Sequence, residues 1–326
     1  MGSFTRAREA AQFLAAVLLG CIGIATANAQ SYPSRPITMV LPGAPGSASD
    51  QVGRTLAKSV AAQTGTAVVA DNKVGANGII GVNAVMNASA DGYTLLFTTL
   101  STMALNKFLV KGLPYDPQAD FIPLMVGWRS SAFILASPKS SIKSITDLIA
   151  TAKREPGRLN FGFGTAFPQL GGNLLEQITG TRFLFVPYKT SSASYTALIS
   201  GELDISIADY VSVGPFVKSG QMRPLASSAP KRLAEFPNVP TMRELGHDYE
   251  LVAWHGLFVR RGTPPDVVAK LTELVKVAFR SPDLQAHLKS SGLDDLFLTG
   301  EEARAYMDKD IQRWAKVAHD AGVKPE

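Results

Sequence analysis

The sequence predicts an α/β fold in two lobes, each a mostly parallel sheet flanked by helices, and three observations predict it. From Ile37 onward, short apolar strand segments alternate with helix-length segments, the pattern of parallel strands covered on both faces. Two such βαβ sets follow one another, joined by extended apolar runs near 123–136 and 249–259. The 326 residues are enough for two domains.

In the first set, Ile37–Leu41, Ala67–Ala70 and Tyr93–Thr98 read as strands, and Asp50–Gln63 and Ile79–Ala88 carry apolar residues at helical spacing. Asp91-Gly92 marks the turn before the third strand. Pro114-Tyr115-Asp116-Pro117 then punctuates the chain before the extended run Pro123–Ala136. In the second set Ser144–Lys153 is a helix stopped by Glu155-Pro156-Gly157, and Leu159–Phe163 a strand. Gly171–Gln177 is helical and closed by Gly180, a residue suited to the left-handed C-cap. Phe183–Pro187 is a strand, Ser192–Ile199 a helix closed by Gly201, and Leu203–Ala208 a strand ending at Asp209. Pro215–Ser219 reads as a short helix and Pro224–Ser227 as a strand. After a proline-rich loop, Tyr249–Val259 is extended, and Pro264–Phe279 and Gly300–Ala318 are helices. The chain thus passes from lobe one into lobe two and back. Lobe one is expected over 30–131 and 255–326, and lobe two over 132–254.

The first 29 residues read as a leader rather than as fold. Arg6 and Arg8 precede the apolar run 13–25, which ends in the small-x-small pattern Ala27-Asn28-Ala29 of a secretory cleavage site. The run is short for a spanning helix. An uncleaved anchor and acylation at Cys21 are the alternatives. Cys21 is the only cysteine, so cleavage near Ala29 leaves an exported chain without disulfides, held by its core alone. A bacterial periplasm fits that combination.

The net charge is +5, and the basic residues are scattered, Lys231-Arg232 and Arg260-Arg261 being the densest pairs. Nucleic-acid binding calls for a basic stripe interleaved with aromatics, which is absent from this sequence.

The strand ends share one chemistry. Leu41 runs into Pro42-Gly43-Ala44-Pro45-Gly46-Ser47-Ala48-Ser49-Asp50, and Phe97 into Thr98-Thr99-Leu100-Ser101-Thr102. Phe161 runs into Gly162-Phe163-Gly164-Thr165-Ala166-Phe167-Pro168-Gln169, and Val186 into Pro187-Tyr188-Lys189-Thr190-Ser191-Ser192. All four are rich in small or hydroxylated residues and all precede helix candidates. A helix N-terminus carries free N–H groups and a partial positive charge, so it holds anions without a charged side chain. Glycine admits close approach, and serine and threonine add hydroxyl donors. Taken singly, each loop reads more readily as an ordinary N-cap than as a ligand contact. Four together point to a ligand, with Ala44, Gly46, Ser47, Ala48, Ser49, Thr99, Ser101, Thr102, Thr165, Phe167, Gln169, Tyr188, Thr190 and Ser191 as candidate contacts.

Enzyme signatures are missing. The first loop lacks the Gly-Lys-Ser/Thr ending of a phosphate loop, and Phe167 stands where a dinucleotide fingerprint needs its third glycine. There is no Gly-x-Ser-x-Gly elbow. His247, His255, His287 and His319 show no metal spacing and read as surface or packing residues; Asp308 and Asp310, flanking Lys309, read as a solvated face. Neither a metal nor a cofactor is expected.

The sequence resembles the Bug-type periplasmic solute-binding proteins, the receptors of tripartite tricarboxylate transporters. The matching segments run in order from Tyr32-Pro33-Ser34-Arg35-Pro36-Ile37 with the loop ending at Asp50, through Asp71–Gly78, Ala90–Leu96 and Leu113–Pro117 with Asp120-Phe121. They continue through Pro156–Phe161, Val186–Lys189 and Pro237–Thr241 to Arg313-Trp314. The resemblance implies a two-lobed periplasmic-binding-protein (Venus flytrap) fold that closes on a small organic carboxylate and delivers it to a membrane permease. It implies that backbone N–H groups, hydroxyls and waters hold the carboxylate, and that Asp209 faces the ligand's far end or waters there. A monomer without enzymatic activity is expected. The same lobes docking on a membrane histidine kinase, or an exported α/β enzyme, are the alternatives.

Several positions depart from the family's usual pattern: Gly43, Gly46-Ser47, Gln169, Thr190, Tyr210 and Trp128-Arg129. Either Phe167, Tyr210 and Trp128 line a pocket for a bulky carboxylate with Arg129 on a second carboxylate, or Trp128 packs in the hinge and Arg129 faces water.

Overall fold

The computed structural model of the protein describes residues 32–290 and 293–325. The leader over 1–29, with its cleavage pattern and Cys21, lies outside the described residues. Contacts divide the chain into residues 1–34 and a second unit, 35–326, which contains every element below.

The order is β1 (Ile37–Leu41), α1 (Ala48–Thr64), β2 (Val68–Asn72), α2 (Ile79–Met86), β3 (Thr94–Thr99), α3 (Asn106–Leu109) and β4 (Phe121–Ala136). Then come α4 (Ile145–Arg154), β5 (Asn160–Phe163), α5 (Ala166–Thr179), β6 (Leu184–Pro187), α6 (Ser191–Ser200), β7 (Ile205–Asp209), α7 (Tyr210–Lys218) and β8 (Arg223–Ser227). The chain closes with β9 (Val252–Arg260), α8 (Pro265–Phe279), α9 (Pro282–Ser290), β10 (Asp294–Leu298) and α10 (Gly300–Asp320).

The strands run β2-β1-β3-β9-β4-β7-β5-β6, with β8 and β10 also on β4. β1 is parallel to β2 and β3, and β5 is parallel to β6 and β7. The two extended runs read from the sequence are the long antiparallel strands β4 and β9, paired from Phe121↔Arg260 to Ser131↔Val252. From Ala132 onward β4 changes partners and pairs with β7 and β8. One strand therefore serves both halves of the sheet. Its near-complete burial explains why its sequence is apolar almost throughout rather than alternating.

Three helices begin earlier than their sequence patterns suggest. α1 starts at Ala48 because Ser47 caps it, accepting the Asp50 N–H at 3.2 Å. α5 starts at Ala166 rather than Gly171, so Phe167 and Gln169 lie in its first turn. Pro168 is tolerated there because the first-turn N–H groups have no intrahelical acceptor. α7 starts at Tyr210 rather than Pro215, with Asp209 as its cap. The short helix α9 and the edge strand β10, which pairs with β4 at Trp128 and Arg129, carry too little periodicity to be read from sequence.

α10 is not solvated on its acidic side, as the Asp308–Asp310 pattern suggests. Asp310 accepts the Trp254 Nε1–H at 2.7 Å, and Asp308 accepts from Gln118 at 2.7 Å. A tertiary partner supplied from β9 overrides the local pattern. Burial raises the Asp310 carboxyl above its ordinary pKa, with the Trp254 bond opposing. α10 also reaches α5, where Gln177 donates to the Val317 carbonyl at 2.7 Å.

Candidate functional site

The loops after β1 and β3 form one rim. Asp50, almost wholly buried, organises the first of them: it accepts from Gly46 N at 2.9 Å, from Asn72 Nδ2 at 2.9 Å and from Arg54 Nε at 2.9 and 3.0 Å. Burial on its own would raise the Asp50 pKa, but these donors outweigh it and hold the carboxyl below its ordinary range. Asn72 also donates to the Gly43 carbonyl at 2.9 Å, which fixes the start of the turn. Gly46 sits at φ +79°, a conformation that favours glycine, and lets its N–H turn back to Asp50. Ala44 and Gly46 are exposed, and Ser47 and Ser49 half-buried, at the start of α1. Ala48 is the first residue of that helix.

Thr99 ends β3, and Ser101 and Thr102 open a π-type turn over Ser101–Leu105 that leads into α3. Thr102 is buried, and its carbonyl accepts from the Tyr115 hydroxyl at 2.7 Å. The 75–78 turn packs against both loops: a Cβ on Gly78 would stand 2.7 Å from Thr102 Oγ1 and 3.3 Å from Pro42 Cβ. Asn72 and this turn are the rim residues that reading strand ends misses. For the turn the sequence signal is Gly75-Ala76-Asn77-Gly78, whose flanking glycines accompany the left-handed backbone at Ala76 and Asn77; Asn72 has no such signal.

The ends of β5, β6 and β7 form the second rim. A Cβ on Gly164 would lie 2.3 Å from the Thr190 carbonyl carbon and 2.4 Å from Ser191 N, so Gly164 packs directly against the 190–191 backbone. Tyr188 N donates to the Phe163 carbonyl at 2.8 Å. Thr165 occupies the N-cap position of α5 without a side-chain capping bond, which leaves its hydroxyl available. Thr190 spends its hydroxyl on the Ala193 N–H at 3.2 Å, and Ser191 opens α6. The Tyr188 hydroxyl turns to Glu202 at 2.7 Å, and burial together with that carboxylate pushes its pKa up to about 12. Gln169 is half-buried on the first turn of α5, whereas Phe167 packs into the core.

Asp209, at the end of β7, accepts from Ser212 N at 3.0 Å and from Ser212 Oγ at 2.7 Å. Burial raises its carboxyl despite these bonds. The Tyr195 hydroxyl lies near Ser191, Ser212 and Asp209, and burial together with the Asp209 charge raises its pKa. Of the two readings of the departures, the structure takes the packing one. Trp128 is fully buried in a stack with Phe97, His255 and Phe279. Tyr210 is buried against Phe133 and Phe236, and Arg129 is partly exposed with Asp294 at 3.9 Å.

Register relates the two rims. Thr99 lies opposite His255, His255 opposite Trp128, and Asp209 opposite Ala132. Trp128 and Ala132 are four residues apart on β4, roughly 13 Å at the rise of a strand. Every loop named stands at the carboxyl end of a parallel strand, where open α/β sheets hold their ligands. A separate open cavity of about 340 Å³, lined by Lys107, Lys111, Tyr115 and Pro325 among others, includes none of these loop residues except through Tyr115's hold on Thr102.

Arranged this way, the rims offer N–H groups, hydroxyls and the half-buried Asp209 carboxylate. The family model for the tripartite tricarboxylate transporter family receptor matches residues 52–323. The chain belongs to this family. The receptor chain is 32% identical to Protein BugT of Bordetella pertussis, over 94% of this chain and 96% of that one. R. palustris Rpa4515, solved with adipate, is 29% identical with a TM-score of 0.84, over 90% of this chain and all of the other. The periplasmic binding protein BugD is also 29% identical, with a TM-score of 0.82 over the same shares. The receptor's fold is accordingly the two-lobed periplasmic-binding-protein fold, with β4 and β9 running between its halves.

Proposed function

We propose that this receptor captures a small organic carboxylate between its lobes and hands it to the membrane permease of a tripartite transporter after export to the periplasm. The observation that carries the reading is that α1, α5, α6 and α7 each start at the carboxyl end of a parallel strand, β1, β5, β6 and β7. Each helix start contributes about 0.3–1 kcal/mol toward an anion, more when partly buried. The adipate held by Rpa4515 supports a dicarboxylate as the first class to test. Lobe two is 132–254 and lobe one the remainder from residue 30, the division falling where β4 exchanges β9 for β7. In this reading the 42–50 and 98–102 loops grip from one side, and Thr165, Gln169, Tyr188, Thr190, Ser191 and Asp209 from the other. The closed state is selected by contacts the ligand makes only there.

A thermal-shift screen against aliphatic dicarboxylates, tricarboxylates, aromatic carboxylates, amino acids and sugars tests it. A ligand at a hundredfold excess over its Kd stabilises by about 2.7 kcal/mol. Adipate or another carboxylate is expected to raise Tm, and sugars to leave it unchanged. A shift from sugars alone would overturn the carboxylate reading.

Asp209 has two roles to separate. As the α7 cap, its replacement by alanine costs about 1 kcal/mol whatever the ligand does. Asp209→Asn keeps an acceptor for Ser212 and removes a half-buried charge. A carboxyl whose pKa is raised on folding favours the folded state below its unfolded pKa, and that contribution is lost as pH rises through the folded value. Asp209→Asn is therefore expected to keep or raise the ligand-free Tm at pH 7 while weakening, by about tenfold, the binding of ligands whose far end donates a hydrogen bond to the Asp209 carboxylate, one hydrogen bond to a charged group. Unchanged affinity in titration calorimetry would remove Asp209 from the site.

A further inference from the structure

His255 belongs to the strand-end rim by register, although its sequence context suggests only packing. Thr99 and His255 are opposite one another on β3 and β9, and opposite residues of an antiparallel pair share a face. The ring lies against Phe97, centroids 5.9 Å apart and planes 19° apart, and against Trp128 at 5.8 Å and 21°. Only 8% of the residue is exposed, and Nδ1 is buried without a hydrogen-bond partner, as is Trp128 Nε1 beside it. Burial lowers the imidazole pKa to about 4, with no charged side chain contributing. An unsatisfied buried polar atom destabilises the folded state. A phenylalanine would stack between Phe97 and Trp128 without that cost.

We propose that His255 is a ligand-contacting residue of the cleft, its imidazole donating a hydrogen bond to an oxygen of the bound carboxylate beside Thr99. The inference rests on the carboxylate-receptor reading above. A carboxylate only accepts, so the nitrogen facing it must carry a proton, which either tautomer of the neutral ring can supply. The torsion to an aromatic ring is roughly two-fold, so a half-turn exchanges Nδ1 with Cδ2 and leaves the stack in place. The orphaned nitrogen can thus be brought to the open edge without disturbing Phe97 or Trp128.

His255→Phe tests this, with adipate and citrate titrated calorimetrically into wild type and variant. The variant is expected to lose affinity by about tenfold or more, the worth of one hydrogen bond to a charged group. Its ligand-free Tm is expected to equal or exceed that of wild type. In wild type, the ligand should also shift the His255 ring ¹⁵N resonances. Wild-type affinity in His255→Phe, or ring resonances unmoved by a bound ligand, would overturn the assignment while leaving the receptor reading intact. Wild type that binds no carboxylate would overturn both. If the variant is destabilised, the resonances decide alone.

Discussion

Gly164→Ala is expected to lower Tm by on the order of 6 °C and to abolish ligand binding. The new methyl would sit 2.3 Å from the Thr190 carbonyl carbon and 2.4 Å from its oxygen. These are backbone atoms, so no side-chain rotation can relieve the overlap. Forcing the loops apart costs about 3 kcal/mol, the upper range for overpacking, and a chain this size loses about 2 °C per kcal/mol. The same movement pulls the start of α6 away from the start of α5 and breaks the second rim where Gly164 meets Thr190 and Ser191. Circular dichroism melts and calorimetric titration of the one variant read both effects. A variant that melts and binds like wild type would show that the two loops separate freely, and with it that their contact is irrelevant to binding.

The second large effect is at Asp50. Removing its carboxylate in Asp50→Ala leaves Asn72 Nδ2 without its Asp50 acceptor and the Gly46 N–H without its carboxylate. Two lost acceptors in a buried web cost about 2 kcal/mol or more. The Arg54 ion pair adds little, because Arg54 is half exposed and screened by solvent. The larger consequence is local: among the described residues, Gly46 is tied back to α1 by the Asp50 carboxylate and by the Gln51 side chain, which donates to its carbonyl at 3.0 Å. Affinity should fall with the order of that turn. Because the folded pKa of Asp50 is depressed, its stabilisation is present above the unfolded carboxylate pKa and is lost as pH falls through the folded value. The difference in Tm between wild type and Asp50→Ala is therefore expected to be full at pH 7 and to shrink in acid below pH of about 4. A difference that stays constant down to that range would show that the carboxylate's charge has no part in holding the loop.

Much of the architecture is legible in the sequence, and the misses share a cause. Ile37–Leu41, Phe183–Pro187 and Leu203–Ala208 announce themselves as strands because each is a short apolar run bounded by turn residues. Gly65, Gly180 and Gly201 close helices in left-handed C-caps, a role that follows from glycine's own backbone freedom. β10 does not announce itself. Asp294-Asp295 opens it, and it is a strand because the edge of β4 at Trp128 and Arg129 offers it a partner. The first turns of α5 and α7 read as loops because Pro168 and Pro215 suggest boundaries. α5 starts ahead of Pro168 because first-turn N–H groups have no intrahelical acceptor to lose, and the Asp209 cap on the Ser212 N–H starts α7 ahead of Pro215.

For the candidate loops, residue chemistry along the chain was enough to mark helix starts, since small and hydroxylated residues after a strand and before a helix do so by themselves. It could not say which hydroxyls remain free. Ser47 and Thr190 are committed to caps, Tyr188 to Glu202, and Thr165 to none. Nor could it place Asn72, which joins the rim through Gly43 and Asp50 across 29 and 22 residues of chain. His255 has no local signature either, because its neighbours Thr99 and Trp128 reach it only through the pairing of β3, β9 and β4.

The sequence alone determined the two-lobed α/β plan, because strand and helix periodicities, caps and turns are properties of neighbouring residues. Only the tertiary structure decided that Trp128 and Tyr210 are core, that Asp310 faces Trp254 rather than water, and that His255 stands at the rim. Those outcomes depend on which strand lies beside which, and strand pairing brings together side chains whose separation in the chain no local pattern records.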